Sequence, residues 1–243
     1  YTMAETTVSE KDYNLPKCSK PIASVMVGNL TCKSAACHTN TADTARQSGL
    51  IALAQMASGE SEASFPAIGD GLKAMLTTAL KETGCFDIQE REAMDELAKE
   101  LALVGKTVEV QQADYMISGA ITSISMSTKK QAIGGGMIPI VGAISTTKKS
   151  ADLGLDIKII DVNKAKVLDS KTFQGNNETS SYSLGGAGFG GVALVGGLSN
   201  IKGTPMEDIV RDVLARVASF SSMKLIESKG VTDVVMTNPI VKK

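Results

Sequence analysis

The stretches ADYMISGAITSISMST, residues 113–128, and LGLDIKII, residues 153–160, decide the fold. In both, apolar side chains recur at every second position, which is the period of a β-strand with one buried face. The apolar phase that runs to Ile121 resumes at Ile124, one residue out of step near Ser123. A one-residue shift of this kind predicts a β-bulge inside a long strand.

The β block is unusual for the length of its strands. The segments 115–128 and 138–160 are much longer than the five or six residues of an ordinary strand, and strands of about 9–11 residues cross a bilayer. The Gly-rich apolar segment 184–198 would be an exposed patch on a soluble protein but is a normal outward face of a closed barrel. One chain offers only four such strands, too few to close a barrel alone, so the sequence predicts a ring of several subunits.

Helices are predicted on both sides of this block. A first helix ends at Gly84, and a second, with Met94, Leu97 and Leu101 facing inward, ends at Gly105. A short strand is predicted before each of these helices. The strand before the first helix contains Ile22, Val25 and Val27 and ends at Gly28 and Asn29. The strand before the second helix contains Phe86 and Ile88. The apolar face of the first helix comprises Leu72, Met75, Leu76, Ala79 and Leu80.

A third predicted helix follows the β block. Thr204, Pro205 and Glu207 are typical of a helix N-terminus, as cap, first-turn proline and acidic partner of a capping box. Its apolar face comprises Ile209, Val210, Val213, Leu214 and Val217.

Composition excludes several classes of protein. The 243 residues carry 25 basic and 26 acidic side chains without a basic stripe, which argues against a nucleic-acid partner. No apolar run approaches the ~20 residues of a membrane-spanning helix, which excludes a helical membrane protein. The alternating strands of a β-barrel would escape such a scan.

Two motifs resemble binding sites without the context that a site requires. Gly186, Gly188 and Gly191 form a G-x-G-x-x-G pattern, but the apolar, Gly-broken sequence after it does not open a helix, so a Gly-rich strand is the better interpretation. His38, the only histidine, offers at best three ligands with Cys32 and Cys37. The short Cys32–Cys37 loop fits a disulfide or free polar-loop residues better.

No catalytic set emerges from the remaining polar residues. With one histidine in a loop no Ser/His/Asp set can be built, and the carboxylates at 90–96 sit where a helix dipole favours them. The sequence therefore predicts a protein that is not an enzyme and carries no cofactor or metal. The lysine pairs at 129–130 and 148–149 flank an apolar hairpin tip, and are either interfacial anchors at a membrane edge or ordinary solvated charges.

In order and spacing, these pieces resemble the CsgG family of curli secretion channels over most of residues 20–225. The segments that carry the resemblance are the strand Lys20–Leu30, the helix AMLTTALK at 74–81, CFDIQER at 85–91, ADYMISG at 113–119 and LDIKIIDV at 155–162.

The resemblance implies an α+β fold, in which a periplasmic α/β domain carries two long hairpins that close with other subunits into a transmembrane barrel. In this family nine subunits close about 36 strands and unfolded subunits leave by passive diffusion. The implied partners are further copies of the chain, membrane lipid, an exported protein and periplasmic or extracellular accessory proteins. The implied divisions are an N-terminal arm 1–20, periplasmic domain 21–118, first membrane hairpin 119–160, connecting turn 161–168, second membrane hairpin 169–203, and periplasmic helix and tail 204–243.

The resemblance also places a narrow constriction of the lumen before the first long helix. Phe65 would supply an aromatic side chain, and Glu60 and Glu62 would line a rim; the tyrosine and asparagine of the family are not evident. The candidate constriction residues are Gly59, Glu60, Glu62, Ser64 and Phe65.

The family pattern includes a lipidated N-terminal cysteine. Tyr1 is not a cysteine and Cys18 lacks an apolar leader, so the expectation is an anchor that is absent or was removed upstream. Two alternatives stay open beside the outer-membrane export channel. One is a ring-shaped scaffold or anchor for a surface appendage, and the other is a soluble periplasmic regulator that shares the α/β domain.

Overall fold

The computed structural model describes residues 15–37, 60–62, 65–109, 111–132, 145–176, 198, 201–231 and 235–237, and shows a mixed α+β fold. The strands are β1 (Leu15–Lys17), β2 (Ala23–Cys32), β3 (Glu60–Glu62), β4 (Phe86–Gln89), β5 (Tyr115–Ala132), β6 (Ser145–Asp161), β7 (Lys166–Asn176) and β8 (Val235–Thr237). The helices are α1 (Ile68–Glu82), α2 (Arg91–Leu103) and α3 (Pro205–Lys229), with a 3-10 turn at Ala35–Cys37.

One sheet organises the molecule, with strand order β4-β2-β5-β6-β7 and the short β3 beside the outer part of β5. Strand β2 runs parallel to both β4 and β5, whereas β5, β6 and β7 are antiparallel to their neighbours. The two ends of the sheet are therefore β4, which leads into α2, and β7, which packs against α3.

Helices α1 and α3 cover one face of this sheet. The side chains of β2, β5 and β6 that point to that face are buried, among them Val25, Ile117 and Ile157. Helix α1 approaches β2 so closely that a Cβ on Gly69 would lie 2.2 Å from the carbonyl oxygen of Leu30. The hydrophobic core thus lies between this face and the two helices.

Several sequence predictions are confirmed. The register of β5 against β6 shifts between Ile121 and Ser123, where the sequence predicts a bulge. The predicted apolar faces of α1 and α3 are buried throughout. Gly84 and Gly105 follow their helices with φ of 66° and 72°, conformations in which a side chain would be strained.

Three expectations were wrong in detail. Met94, Leu97 and Leu101 were expected to face inward, yet no residue of α2 is buried, because amphipathic spacing gives a helix an apolar face without specifying what covers it. Strand β2 does not stop at Gly28; it continues to Cys32 through a register shift between Val27 and Leu30.

The start of α3 is the third difference. The side chain of Glu207 accepts a hydrogen bond from the main-chain N–H of Gly203 over 2.6 Å, one residue before the cap at Thr204. The Thr204 hydroxyl instead donates to the Ile201 carbonyl over 2.6 Å. Both side chains still satisfy polar groups at the helix start, but the reciprocal capping box is not formed.

The two ends of the described chain meet outside the main sheet. Strands β1 and β8 form an antiparallel pair in which Leu15 is opposite Thr237 and Lys17 opposite Val235. Directly after β1, a disulfide joins Cys18 to Cys85 at the start of β4. Among the described helices, none is both long and apolar enough to span a membrane.

Candidate functional site

The hairpin of β5 and β6 continues past the end of its pairing with β2. Its strands are 18 and 17 residues long. Strand β2 accompanies β5 only as far as the pair Cys32–Ile121, and among the hairpin side chains whose burial is described, the outermost buried ones are Ile124 and Ala151. From there the two strands continue, paired to each other, to Ala132 and Ser145.

The two faces of this hairpin differ in chemistry. One face presents Ile124 and Leu153 to the core. On the other, the Ser125 hydroxyl donates to the Asp152 carboxylate, and the hydroxyls of Ser127 and Ser150 hydrogen-bond over 2.8 Å. These cross-strand polar pairs stabilise the register of the hairpin.

The two lysine pairs come to one level of the hairpin. Lys129 is the register partner of Lys148, Thr128 of Lys149, and Lys130 of Thr147. The four lysine positions are therefore grouped between the body and the apolar tip sequence, which falls at 133–144, outside the described residues.

Strand β3 brings part of the candidate constriction to the same level. Glu60 is the register partner of Lys129, and Glu62 that of Ser127. The structure thus brings Glu60 and Glu62 to the outer edge of β5. Gly59 and Ser64 lie outside the described residues.

Phe65 does not share that position. Its side chain is 3% exposed and belongs to the hydrophobic core, because the chain at Phe65 already turns into α1. A ring in the core is not presented to a lumen, so the expected aromatic contribution of Phe65 to a constriction is corrected.

A clamped stem joins the segment 38–64 to the body. The main-chain N–H of Phe65 donates to the carbonyl oxygen of Ala36 over 2.7 Å. A disulfide joins Cys32 to Cys37 on the outgoing side of the stem. The segment therefore leaves and re-enters the body at one place.

A polar network fixes the root of the hairpin, where β5 starts. The Asp114 carboxylate accepts a hydrogen bond from the Ser24 main-chain N–H over 3.1 Å and lies 3.5 Å from the Lys229 ammonium. The hydrogen bond from the Ser24 N–H is the main cause that holds the pKa of Asp114 below its usual value; burial opposes it, and the charge of Lys229 adds a smaller lowering effect. The Tyr115 hydroxyl hydrogen-bonds the Ser228 hydroxyl over 3.0 Å, so the end of α3 is tied to the hairpin root.

Ion pairs also hold the start of α3. The Gly203 N–H, followed by the Arg211 guanidinium, lowers the pKa of Glu207, whose carboxylate lies 3.1 Å from Arg211. Burial, with the neighbouring Glu207, raises the pKa of Asp208. These groups stabilise a helix terminus and do not converge on a cavity, which is a structural role.

Sequence reasoning missed two of these features. The Cys18–Cys85 bond spans 67 residues, and four cysteines allow three pairings that sequence does not distinguish. The Asp114 network joins residues 90 and 115 positions away from it, which no local pattern reveals. An acidic residue directly before a buried strand was the only signal.

Within the described ranges, no three histidine, cysteine, aspartate or glutamate side chains cluster in a way that could hold a metal ion. His38 and the glycine motif at 186–191 fall outside those ranges.

Comparison with known proteins identifies a family over nearly the whole chain. Residues 13–238 match the family described as curli production assembly/transport component CsgG. No curated protein sequence matches the chain.

Solved structures with similar chains share little sequence with it. A PelC dodecamer from Paraburkholderia phytofirmans is 14% identical with a TM-score of 0.35, covering 84% of this chain and 92% of the other. Protein XCC0632 from Xanthomonas campestris is 10% identical with a TM-score of 0.44, covering 89% and 95%. The hypothetical protein CT253 from Chlamydia trachomatis is 10% identical with a TM-score of 0.38, covering 84% and 99%.

Proposed function

Because the chain belongs to the CsgG family, we propose that it is a subunit of an oligomeric outer-membrane channel that exports unfolded protein subunits by passive diffusion through a constricted lumen. The family is one of assembly and transport components, not of enzymes. The observation that carries the proposal is the length of the β5–β6 hairpin, which continues beyond the last pairing of β5 with β2 and there has only the short β3 and the end of β7 beside it among the described strands.

The hairpin 119–160 and a second hairpin, 169–203, form the barrel wall in this proposal. A hairpin with unpaired outer edges is marginal in water, and in a bilayer those edges must be paired. Neighbouring subunits supply that pairing, and a ring of nine closes the barrel against lipid. The level of Lys129 and Lys148 marks the membrane interface, where lysines are favoured, because the apolar tip sequence lies beyond it.

The clamped segment 38–64 supplies the constriction. Its ends meet at Ala36 and Phe65, and Glu60–Glu62 run along β5; in this proposal a ring gathers the segments of all subunits around one axis. Gly59, Glu60, Glu62 and Ser64 are the proposed rim. With Phe65 in the core, no aromatic residue remains between 38 and 64, so the rim is polar and acidic.

The proposed location is the outer membrane, with the α/β domain in the periplasm. Each of the four cysteines is in a disulfide, which fits an oxidising compartment such as the periplasm. The exported protein and any periplasmic or extracellular accessory protein are further proposed partners.

Single-channel recording in planar bilayers tests the proposal. Detergent-extracted oligomer is expected to conduct, and to prefer cations because carboxylates line the rim. Substituting Glu60→Gln and Glu62→Gln together is expected to reduce cation preference while conductance persists. The matched control is Glu92→Gln, which removes an exposed carboxylate from α2 in the α/β domain. An assembled oligomer that does not conduct would overturn the export channel.

A scaffold or anchor for a surface appendage is the second candidate, and the burial of Phe65 favours it. Without an aromatic ring the rim is less able to grip an unfolded chain, and a wide or plugged lumen would serve anchoring equally well. A membrane-inserted ring with a closed lumen in cryo-electron microscopy would support the scaffold. An open lumen narrowed by residues 59–64 would support export.

A further inference from the structure

Helix α2 presents an apolar stripe that the described chain leaves uncovered. Leu97 is 46% exposed and Val104, just past the helix end, is 68% exposed; with Leu101 between them they follow helical spacing. Glu96 and Glu100, four residues apart, lie next to this stripe. The helix carries four acidic and two basic residues within Arg91–Leu103, so the stripe has an acidic border.

A groove lined by two basic, two hydroxyl and three apolar side chains lies between β7 and α3. This β7–α3 groove has a volume of about 290 Å³ and includes two basic side chains and no acidic ones in its lining. The rings of Phe173 and Phe220 pack edge to face with centroids 5.6 Å apart. The Lys171 ammonium lies 5.3 Å and 5.6 Å from those two ring centroids, and Met223 is 44% exposed at the rim.

The cations of the groove differ in how they are held. The Arg216 guanidinium lies 3.1 Å from the Asp212 carboxylate. The Lys171 ammonium lies over the two rings. The nearby Asp169 carboxylate feels the charge of Lys171, but it is already paired with Lys224 over 3.2 Å. A carboxylate from another chain can therefore serve as the direct partner of the Lys171 ammonium.

Stripe and groove lie at opposite ends of the sheet. Helix α2 directly follows β4, the first strand of the order, and the groove is built on β7, the last. Two complementary surfaces at opposite ends of one molecule produce a head-to-tail contact, which closes into a ring when the rotation per subunit allows it.

We propose that the α2 stripe of one subunit docks in the β7–α3 groove of a second copy of this chain. Leu97 and Val104 contact Phe220 and Met223, and Glu100 pairs with Lys171. The contact rests on the proposed function, because it is the contact between neighbouring α/β domains of the ring. Pairing of two α2 stripes with each other is disfavoured, since it would set Glu96 and Glu100 against their own copies.

The test measures assembly of the full-length, detergent-extracted protein by mass photometry over a dilution series. Leu97→Ser, Glu100→Lys and Lys171→Glu are each expected to raise the concentration of half-dissociation about tenfold. The double variant Glu100→Lys with Lys171→Glu is expected to assemble to within about threefold of the unsubstituted protein, because the pair is restored with reversed charge.

Leu103→Ser is the matched control. Leu103 is 80% exposed on the same helix but lies about a third of a turn round from Leu97, and its loss is expected to leave assembly unchanged. Thermal unfolding of each variant checks that the subunit is folded, so a fall in assembly cannot come from unfolding.

Each outcome distinguishes the contact from the channel itself. An unsubstituted protein that is monomeric overturns both the ring and the contact. A ring that assembles equally well in all variants overturns the contact and leaves the ring standing. A Leu97→Ser protein that assembles normally but unfolds at lower temperature also overturns the contact, because the stripe is then covered by its own chain.

Discussion

The main-chain N–H of Phe65 donates a hydrogen bond to the carbonyl oxygen of Ala36 over 2.7 Å. This bond holds together the two ends of the segment 38–64, which includes most of the candidate constriction residues. The Cys32–Cys37 disulfide lies on one side of the base and the first turn of α1 on the other. The two ends of the segment 38–64 are therefore held by the body of the subunit.

The two disulfides are expected to differ in their contribution to stability. A disulfide that closes a longer loop removes more entropy from the unfolded chain. Replacing Cys18 and Cys85 by serine is therefore expected to lower the free energy of unfolding by about 4 kcal/mol, since these residues are 67 positions apart. Replacing Cys32 and Cys37, which are 5 positions apart, is expected to lower it by about 2 kcal/mol. Urea unfolding of the two double-serine proteins measures both values.

Limited proteolysis separates local from global effects of the same substitutions. The protein lacking Cys32–Cys37 is expected to be cut faster within 38–64 while the core stays intact. Equal cutting across the chain, or a larger loss of stability than in the protein lacking Cys18–Cys85, would contradict this assignment.

Gly69→Ala is expected to destabilise the subunit by about 3 kcal/mol. The new Cβ would lie 2.2 Å from the Leu30 carbonyl oxygen, and because that atom is main chain, α1 would have to move off β2. Gly28→Ala is the control, since its nearest neighbour is the Ser118 Cβ at 3.3 Å. Similar unfolding midpoints for the two variants would show that α1 packs less closely than described.

Asp114→Asn is expected to lower the melting temperature by a few degrees at pH 7 and to have a smaller effect as the pH falls below 4. The pKa of Asp114 is lowered in the folded protein, first by the Ser24 N–H and, with less weight, by Lys229. The stabilisation is therefore fully present above the unfolded pKa of about 3.9 and is lost as pH falls through the lower folded value.

Lys229→Met separates the contribution of the Lys229 charge to the lowered pKa of Asp114 from that of the Ser24 N–H. It removes the ammonium but leaves the Ser24 N–H, so the pH dependence should shrink without vanishing. Thermal melts between pH 3 and 7 give both profiles. A constant difference between Asp114→Asn and the unsubstituted protein across this range would disprove the role of the carboxylate charge.

Ser222→Ala is expected to stabilise the protein by about 1 kcal/mol. The Ser222 hydroxyl is fully buried and has no hydrogen-bond partner in the described structure, and an unsatisfied buried hydroxyl is costly. Thr83→Val supplies the contrast and should destabilise by about 1–2 kcal/mol. The Thr83 hydroxyl donates to the Leu80 carbonyl over 2.6 Å and accepts from the Cys85 N–H over 3.1 Å. Denaturant midpoints that fall for both variants would contradict the first half of this prediction.

Periodicity made the strands β2, β4, β5, β6 and β7 and the buried faces of α1 and α3 predictable from sequence, whereas the three-residue strands β1, β3 and β8 are too short to show a period. A strand can bury one face only if its apolar side chains stay at alternate positions. The spacing of Ile117, Ile121 and Ile124 therefore shows both the alternation and the one-residue shift of the bulge. The same reasoning located the stripe of α2 but placed it wrongly inside the protein. Spacing defines a face, whereas its neighbour is a property of the assembled molecule.

The candidate site was less predictable because its geometry is long-range. Phe65 is apolar and next to a proline, and sequence alone does not distinguish a ring that lines a lumen from one that anchors a helix start. The contact from Ala36 to Phe65 and the bond from Cys18 to Cys85 connect distant parts of the chain. Such contacts leave no local pattern in the sequence.

The β1–β8 pair has a mechanical consequence. Leu15 and Thr237 are opposite each other, so the two outward-leading ends leave from the same end of the ladder. A force that draws them apart opens the hydrogen bonds one after another, as in a zipper, and needs little tension. The tension then reaches Cys18, where a covalent bond to Cys85 transfers it to the junction of α1 and β4. A force on the N-terminal side is therefore met first by the weak β1–β8 pair, and it reaches the main sheet at β4 only after that pair has opened.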